Sequence, residues 1–112
     1  MSERSICVVY TQAKPGRESE YHDWYDSRHL HDVLRVAGVV SAQRYDLDET
    51  EAAGGAPPAG CLAIYEVEGD PRAFVEDLRS KFGTDEMLGS PALDRASISM
   101  TLWKPHGERI TA

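Results

Sequence analysis

The segment YHDWYDSRHLHDVLRVAGVVSAQRY, from Tyr21 to Tyr45, contains a change of helical phase that restricts how the chain can fold. At about 100° per residue, an aromatic group clusters on one side of a helix, and the aliphatic group that follows it clusters roughly half a turn away. The first group is Tyr21, Trp24 and Tyr25, and the second is Leu30, Val33, Leu34 and Ala37. One straight helix cannot bury both groups.

We therefore predict a break or kink at Asp26 to His29, with Asp26 or Ser27 capping a second short helix. His29 would lie at this junction, where helix ends leave backbone groups without intrahelical partners. Such a junction suits a polar side chain that faces a cavity. The alternative is a simple turn with His29 in solvent, and the sequence leaves both open.

The rest of the chain alternates between strand and helix patterns. Four runs predict strands, and Pro71 predicts a second helix that begins at Gly69 or Asp70 and ends near Gly83. The predicted strands are Arg4 to Thr11, Val39 to Leu47, Cys61 to Val67 and Ser97 to Trp103. Between the second and third strands, the acidic and Gly/Pro-rich run from Asp48 to Gly60 predicts a flexible surface loop.

This βαββαβ order predicts a ferredoxin-like α+β fold, in which two helices cover one face of an antiparallel sheet. A chain of 112 residues makes one such domain, residues 1–112. In the second strand, Val40 and Ala42 are expected on one face. The opposite face of the sheet would carry Ser41, Gln43, Tyr45, Thr101 and Trp103. Because a partner usually covers such a mixed face, we predict a homodimer joined through its sheets, with a solvated monomer as the alternative.

Charge and cysteine usage exclude several functions. The formal charge of −7 argues against a nucleic-acid or anionic-membrane surface. Because the sequence has neither a long apolar run nor a charged-then-apolar leader, we expect no membrane span and a cytoplasmic location. Cys7 and Cys61 lack a C-x-x-C spacing, which indicates buried, reduced thiols. His22 and His29 lie about 10 Å apart along one helix, so we expect no metal site.

Tyr25 and His29 are the candidate catalytic residues. Because they are four residues apart, a persisting helix would make them neighbours, and a tyrosine hydroxyl beside an imidazole is a workable proton-transfer pair. The candidate substrate-binding residues are Trp24, Tyr10, Tyr45 and Tyr65. The three strand tyrosines are expected to line the same space and to offer a hydroxyl to an enolate or phenolate oxygen. Trp24 and Tyr65 also suit a purely hydrophobic core.

The pattern W-Y-x-x-x-H-L followed by D-V-L-x-V-x-G-V-x-S-A-x-R-Y, from Trp24 to Tyr45, resembles small proteins of the dimeric α/β-barrel superfamily, and most of all its EthD-like members. The resemblance implies two ferredoxin-like subunits whose sheets form a barrel, with a ligand pocket between the sheet and the helices of one subunit. Family members often have an acidic residue before the histidine and a proline two places after it. This chain has Arg28 and His31 at those positions.

Three classes of function stay open, of which the resemblance implies the first two, and the residues do not decide between them. The first is a small-molecule enzyme without metal or organic cofactor, of the lyase, isomerase, cyclase or dehydratase type. It would act on a carbonyl-bearing, aromatic or polyketide-like compound, with His29 as acid or base. The second is a monooxygenase, either cofactor-free or haem-linked with His29 as the axial ligand. The third is a ligand-binding or accessory protein without turnover.

Overall fold

A computed structural model of the chain describes residues 4–47 and 60–112. Its strands are β1 (Arg4–Ala13), β2 (Val39–Asp46), β3 (Cys61–Glu68) and β4 (Leu93–Trp103). Its helices are α1 (Glu18–Trp24), which a π-helical turn (Tyr25–His29) joins to α2 (Leu30–Leu34), and α3 (Pro71–Lys81). The predicted loop at 48–60 lies outside the described residues except for Gly60. No helix within the described ranges is long and apolar enough to cross a membrane.

The four strands form one antiparallel sheet in the order β2-β3-β1-β4. Side chains alternate across it, so that Cys7, Ala63, Tyr65 and Val67 are buried on the face covered by the helices. Helix α3 begins as predicted, because the Asp70 carboxylate accepts a hydrogen bond of 2.9 Å from the backbone N–H of Arg72. The ferredoxin-like α+β fold is therefore confirmed. Both cysteines are buried free thiols, also as predicted.

The first helix does not break where its apolar face changes, so the prediction of a capped break is wrong. The backbone stays helical at both ends of the π-helical turn, with φ −64° and ψ −49° at Tyr25 and φ −56° and ψ −43° at Leu30. Neither Asp26 nor Ser27 caps a helix, and the Ser27 hydroxyl donates to the Asp23 carbonyl one turn earlier. The extra residue of the π-helical turn changes the phase while the backbone remains hydrogen-bonded.

After the π-helical turn, only some of the aliphatic side chains that we expected in the core are buried. Val33 and Val36 are buried in the core. Leu34 is 39% exposed and Ala37 is exposed, against the expectation that both belong to the buried group. The apolar face after the turn is therefore narrower than the sequence pattern indicates.

In β2, Val40 does not share the buried face with Ala42 as predicted. Val39 pairs with Val67 and Ser41 pairs with Glu66, so the ladder is irregular at Val40, which is 41% exposed. This bulge moves Val40 off the buried face that Ala42 occupies. Ser41, Gln43 and Tyr45 lie together on the open face, as predicted.

Strand β4 begins at Leu93 and not at Ser97 as predicted. The pairing of β1 with β4 is irregular between Tyr10 and Gln12, and it resumes with Gln12 opposite Asp94. The Ser97 hydroxyl spans this bulge, since it accepts a hydrogen bond of 2.8 Å from the Gln12 N–H and donates one of 2.5 Å to the Asp94 carbonyl. A bulge interrupts the alternation on which the sequence prediction depended.

A buried hydrogen bond of 2.5 Å between the Thr11 and Tyr21 hydroxyls ties β1 to α1. Replacing Tyr21→Phe should lower the free energy of unfolding by about 1–3 kcal/mol, because the Thr11 hydroxyl stays buried without this partner. The double variant Tyr21→Phe/Thr11→Val should recover part of the loss, which urea denaturation measures. Strictly additive losses in the double variant would contradict a coupled pair.

Candidate functional site

A cavity of about 480 Å³ lies between the sheet and the helices. The resemblance implied a pocket in this position. The sheet contributes Val9, Ile98 and Met100 to its walls, and the helical side contributes Val33 and Leu78. This size and this mostly apolar lining are typical of sites that enclose small organic molecules.

His29 lies in this cavity among three aromatic rings and is only 8% exposed. Its imidazole stacks on Trp24, with ring centroids 4.6 Å apart and the planes 20° apart. Tyr25 and Phe82 make edge-to-face contacts with it at 5.1 Å and 5.6 Å. The alternative of a solvated His29 is therefore excluded, and the four rings form an aromatic cage.

The π-helical turn brings Trp24 and His29 together. In an α-helix, residues five apart differ by about 140° around the axis, so their side chains diverge. Here the Leu30 N–H donates to the Tyr25 carbonyl, which is the five-residue hydrogen bond of a π-helix. This wider turn brings side chains five residues apart to the same side of the helix. Tyr25 and His29 are neighbours as predicted, but across a π-helical turn.

Burial dominates the protonation state of His29. It lowers the pKa of the imidazole from 6.5 to about 4, although the nearby Asp32 carboxylate acts in the opposite direction. The ring is therefore neutral at pH 7 and can accept a proton but has none to donate as an acid. Its Nδ1 atom is buried and has no hydrogen-bond partner among the described residues.

Tyr65 on β3 is the one strand tyrosine that the structure brings to the cavity. Its hydroxyl, like Nδ1 of His29, is buried without a hydrogen bond of good geometry in the described part of the chain, although the Tyr25 side chain interacts with it electrostatically. Burial raises the pKa of Tyr65, so the hydroxyl keeps its proton. Two unpaired polar groups in an apolar cavity are unusual and suit a bound polar molecule.

Tyr10 and Tyr45 lie on the other side of the sheet. Both are paired with Leu62, from β1 and from β2, on the face that the helices leave open. The expectation that all three strand tyrosines line one space is therefore wrong within one subunit, because only Tyr65 lines the cavity. The alternation of apolar residues on both faces of β1 hid this division from the sequence.

Sequence reasoning missed Phe82 and Arg79, which line the cavity, and Arg44, which contacts Tyr25 but does not line the cavity. Arg44 lies on the buried face of β2 with its guanidinium carbon 4.4 Å from the centre of the Tyr25 ring. Its Nη1 atom contacts the Asp26 carboxylate at 2.6 Å, and its Nη2 atom contacts Nδ1 of His22 at 3.0 Å. Arg44 is two residues from Ala42 and therefore shares its buried strand face, and this position was the sequence signal that could have indicated Arg44. Phe82 follows the end of α3 and gave no signal.

The two departures from the family pattern lie outside the aromatic cage. Arg28 contacts the Asp32 carboxylate at 3.1 Å and the Asp85 carbonyl at 3.3 Å. Arg35 contacts the same carboxylate at 2.7 Å, and His31 is exposed. The buried Asp32 therefore has two cationic partners. Within residues 4–47 and 60–112, no three His, Cys, Asp or Glu side chains lie close enough together to hold a metal ion.

The fold is shared with proteins of known structure. A candidate monooxygenase from Shewanella loihica PV-4 aligns with a TM-score of 0.64 at 11% identity, over 96% of this chain and 99% of that one. An ethyl tert-butyl ether D (EthD) family protein from Bacillus halodurans C-125 aligns with a TM-score of 0.57 at 12% identity, over 95% and 99%. No protein-family model and no curated protein sequence matches the chain. The EthD-like resemblance is thus confirmed at the level of the fold.

The lowered pKa of His29 predicts acid sensitivity. Because the folded pKa lies below the unfolded value of 6.5, the unfolded chain takes up this proton first, and stability present above pH 6.5 is lost as the pH falls to about 4. The loss should amount to about 3 kcal/mol. Urea denaturation of wild type and His29→Phe across this range, at equal protein concentration, measures it. Parallel pH profiles of the two proteins would contradict a buried neutral imidazole.

Proposed function

We propose that this protein is a small-molecule enzyme that works without metal or organic cofactor, and that His29 removes a proton from a carbonyl-bearing aromatic compound. The observation that carries this proposal is the neutral, buried imidazole of His29, which lines an apolar cavity and whose Nδ1 atom has no hydrogen-bond partner among the described residues. A general base must be uncharged before reaction and must keep a nitrogen free for the proton.

The chemistry of the cavity walls favours a flat, weakly polar substrate. Trp24, Tyr25 and Phe82 offer aromatic surface, and aliphatic side chains close most of the remaining space. The unpaired Tyr65 hydroxyl is a hydrogen-bond donor available to a carbonyl oxygen. An aromatic ketone or β-dicarbonyl compound has both a ring to bury and an oxygen to accept that hydrogen bond.

A low resting pKa is compatible with a basic role for His29. Burial disfavours the imidazolium as a lone charge, but proton transfer from a ketone creates an enolate at the same moment. The cavity then holds an ion pair, and the Tyr65 hydroxyl and the Asp32 carboxylate both favour the new charges. Return of the proton to another carbon would complete an isomerisation, and departure of a leaving group would complete a lyase or dehydratase reaction.

A monooxygenase is the second candidate, favoured by the likeness in fold to the Shewanella loihica protein. In the cofactor-free version, the same deprotonation would give an electron-rich carbanion, and molecular oxygen would be the oxidant. In the haem-linked version, His29 would hold the haem iron, which would supply the activation of oxygen. A ligand-binding protein without turnover is the third possibility.

We also infer that two copies of the chain associate through the open faces of their sheets. This face carries aromatic and aliphatic side chains together with a few polar ones. Trp103 and Tyr45 are 57% and 48% exposed on it in one subunit. The residues of the face include Ile6, Val8, Tyr10, Ser41, Gln43, Tyr45, Leu62, Ile64, Glu66, Ser99, Thr101 and Trp103, with the ion pair of Arg4 and Glu68 at one end. The exposed aromatic and aliphatic surface of this mixed face favours an interface.

Hydrogen–deuterium exchange tests the proposed role of His29. A panel of fused-ring β-dicarbonyl compounds in D₂O should lose the proton between the carbonyls faster when the protein is present, as followed by NMR. His29→Ala should reduce this catalysis by roughly 10²- to 10⁴-fold. His31→Ala is the matched control, since His31 is exposed two residues away, and it should leave the rate unchanged.

Other outcomes of the same experiment identify the alternatives. Equal exchange in His29→Ala and wild type would remove His29 from the reaction. Oxygen consumption with the same compounds would favour the monooxygenase, and a Soret absorption band in the purified protein would favour its haem-linked form. Binding of compounds without exchange or oxygen consumption would favour a protein without turnover.

Substitutions on the open sheet face test the homodimer. Trp103→Glu and Thr101→Glu should each convert the wild-type dimer to monomer, because they bury unpaired carboxylates in an apolar interface. Ile110→Glu is the control, since Ile110 is 94% exposed and lies beyond β4. Sedimentation velocity measures the assembly state. A wild type that sediments as a monomer at all concentrations would contradict the dimer.

A further inference from the structure

Among the described residues, Arg79 is the only charged side chain that lines the cavity of His29. It lies in the last turn of α3 and is exposed, so it stands at the mouth of the cavity and not in its interior. The other polar side chains of the lining carry no charge at neutral pH. A substrate in the cavity would therefore meet one fixed positive charge at its outer end.

Arg79 has no acidic partner within residues 4–47 and 60–112, as is also true of Arg72 and Arg95, but of these three only Arg79 lines the cavity. Lys81, two residues further on, contacts the carboxylates of Asp77 at 3.4 Å and Glu86 at 3.9 Å. Six of the described cations form such pairs in a chain whose formal charge is −7. A guanidinium left unpaired in such an acidic chain is available to an anion from outside.

A second guanidinium lies near the same part of the wall. The guanidinium carbon of Arg95 is 5.5 Å from the centre of the Phe82 ring. Phe82 lines the cavity and contacts the His29 ring at 5.6 Å. Arg79 lines the same cavity as Phe82. Arg95 itself does not line the cavity, so Arg79 is the cation that a bound molecule would contact.

We propose that Arg79 binds a carboxylate of the substrate at the cavity mouth, while the aromatic body of the substrate extends toward His29. The substrate class is then an aromatic carbonyl compound that carries a carboxylate at the end remote from the reacting carbon. A planar guanidinium forms two parallel hydrogen bonds to a carboxylate, which orients the bound molecule as well as attracting it. This inference rests on the proposed function, because it takes the cavity as the substrate site.

The ordinary alternative is a helix-end cation without a ligand. A positive side chain in the last turn of a helix is favoured by the helix dipole, whatever lies nearby. That role predicts a loss of stability when Arg79 is replaced, and no change in the relative affinity for anionic and neutral ligands. Discrimination between such ligands therefore separates the two explanations.

The probes are 2-naphthoate and its uncharged counterpart 2-naphthamide, which have the same ring system and nearly the same shape. Their Kd values are measured by amide NMR titration, following the resonances of the residues around His29. Wild type should bind the naphthoate about tenfold more tightly, a modest preference because Arg79 is partly in water. Arg79→Gln should lose this preference and keep its affinity for the naphthamide, whereas Arg79→Lys should retain part of it.

Arg72→Gln is the matched control. Arg72 is exposed on the same helix and does not line the cavity, so this variant should keep the wild-type preference. An unchanged ratio of the two Kd values in Arg79→Gln would overturn the proposal for Arg79 alone. If neither probe shifted resonances around His29 in wild type, the substrate site itself would be wrong, and the proposed function would fail with it.

Discussion

The stacking of His29 on Trp24 is the contact on which the rest of the site depends. It exists because the first helix makes one five-residue hydrogen bond, from the Leu30 N–H to the Tyr25 carbonyl, where an α-helix would make a four-residue one. Without that extra residue, the imidazole and the indole would point to different sides of the helix. The π-helical turn thus moves a histidine from the helix surface into an aromatic cage.

Enclosure of His29 has an electrostatic cost that the protein does not offset with its own side chains. The imidazole is held neutral by burial, its Nδ1 atom is unpaired, and the Tyr65 hydroxyl in the same cavity is unpaired as well. Unsatisfied buried polar groups destabilise a fold by about 1–3 kcal/mol each. Binding of a carbonyl compound, as we propose, would recover part of this energy.

Much of the fold could be predicted from the sequence, because it depends on patterns that are local. The apolar alternation of the strands, the Pro71 helix start and the phase change near His29 all have their observed counterparts. The form of the phase change could not be predicted, since a capped break and a π-helical turn both re-orient a helix. The bulges in β2 and β4 escaped prediction because strand pairing fixes them.

The site was predictable only where its residues are close in sequence. Trp24, Tyr25 and His29 share one helical segment, and their proximity follows from it. Phe82 comes to the site from a distant element, so no local pattern could place it there, whereas Arg44 shares the buried face of β2 with Ala42, which the strand pattern could have indicated. Tyr65 shares a strand face with Ala63 and Val67, whereas Tyr10 alternates among apolar residues on both sides, which is why the sequence did not separate the two tyrosines.

The ring ¹⁵N chemical shifts of His29, recorded against pH with and without a fused-ring aromatic ketone, test the central claim most directly. The account predicts a neutral imidazole from pH 7 to about pH 5, protonation near pH 4, and a change at Nδ1 when the ketone binds. A His29 that titrates near 6.5 and does not respond to the ketone would contradict the account, because such a ring would be solvated and outside any ligand site.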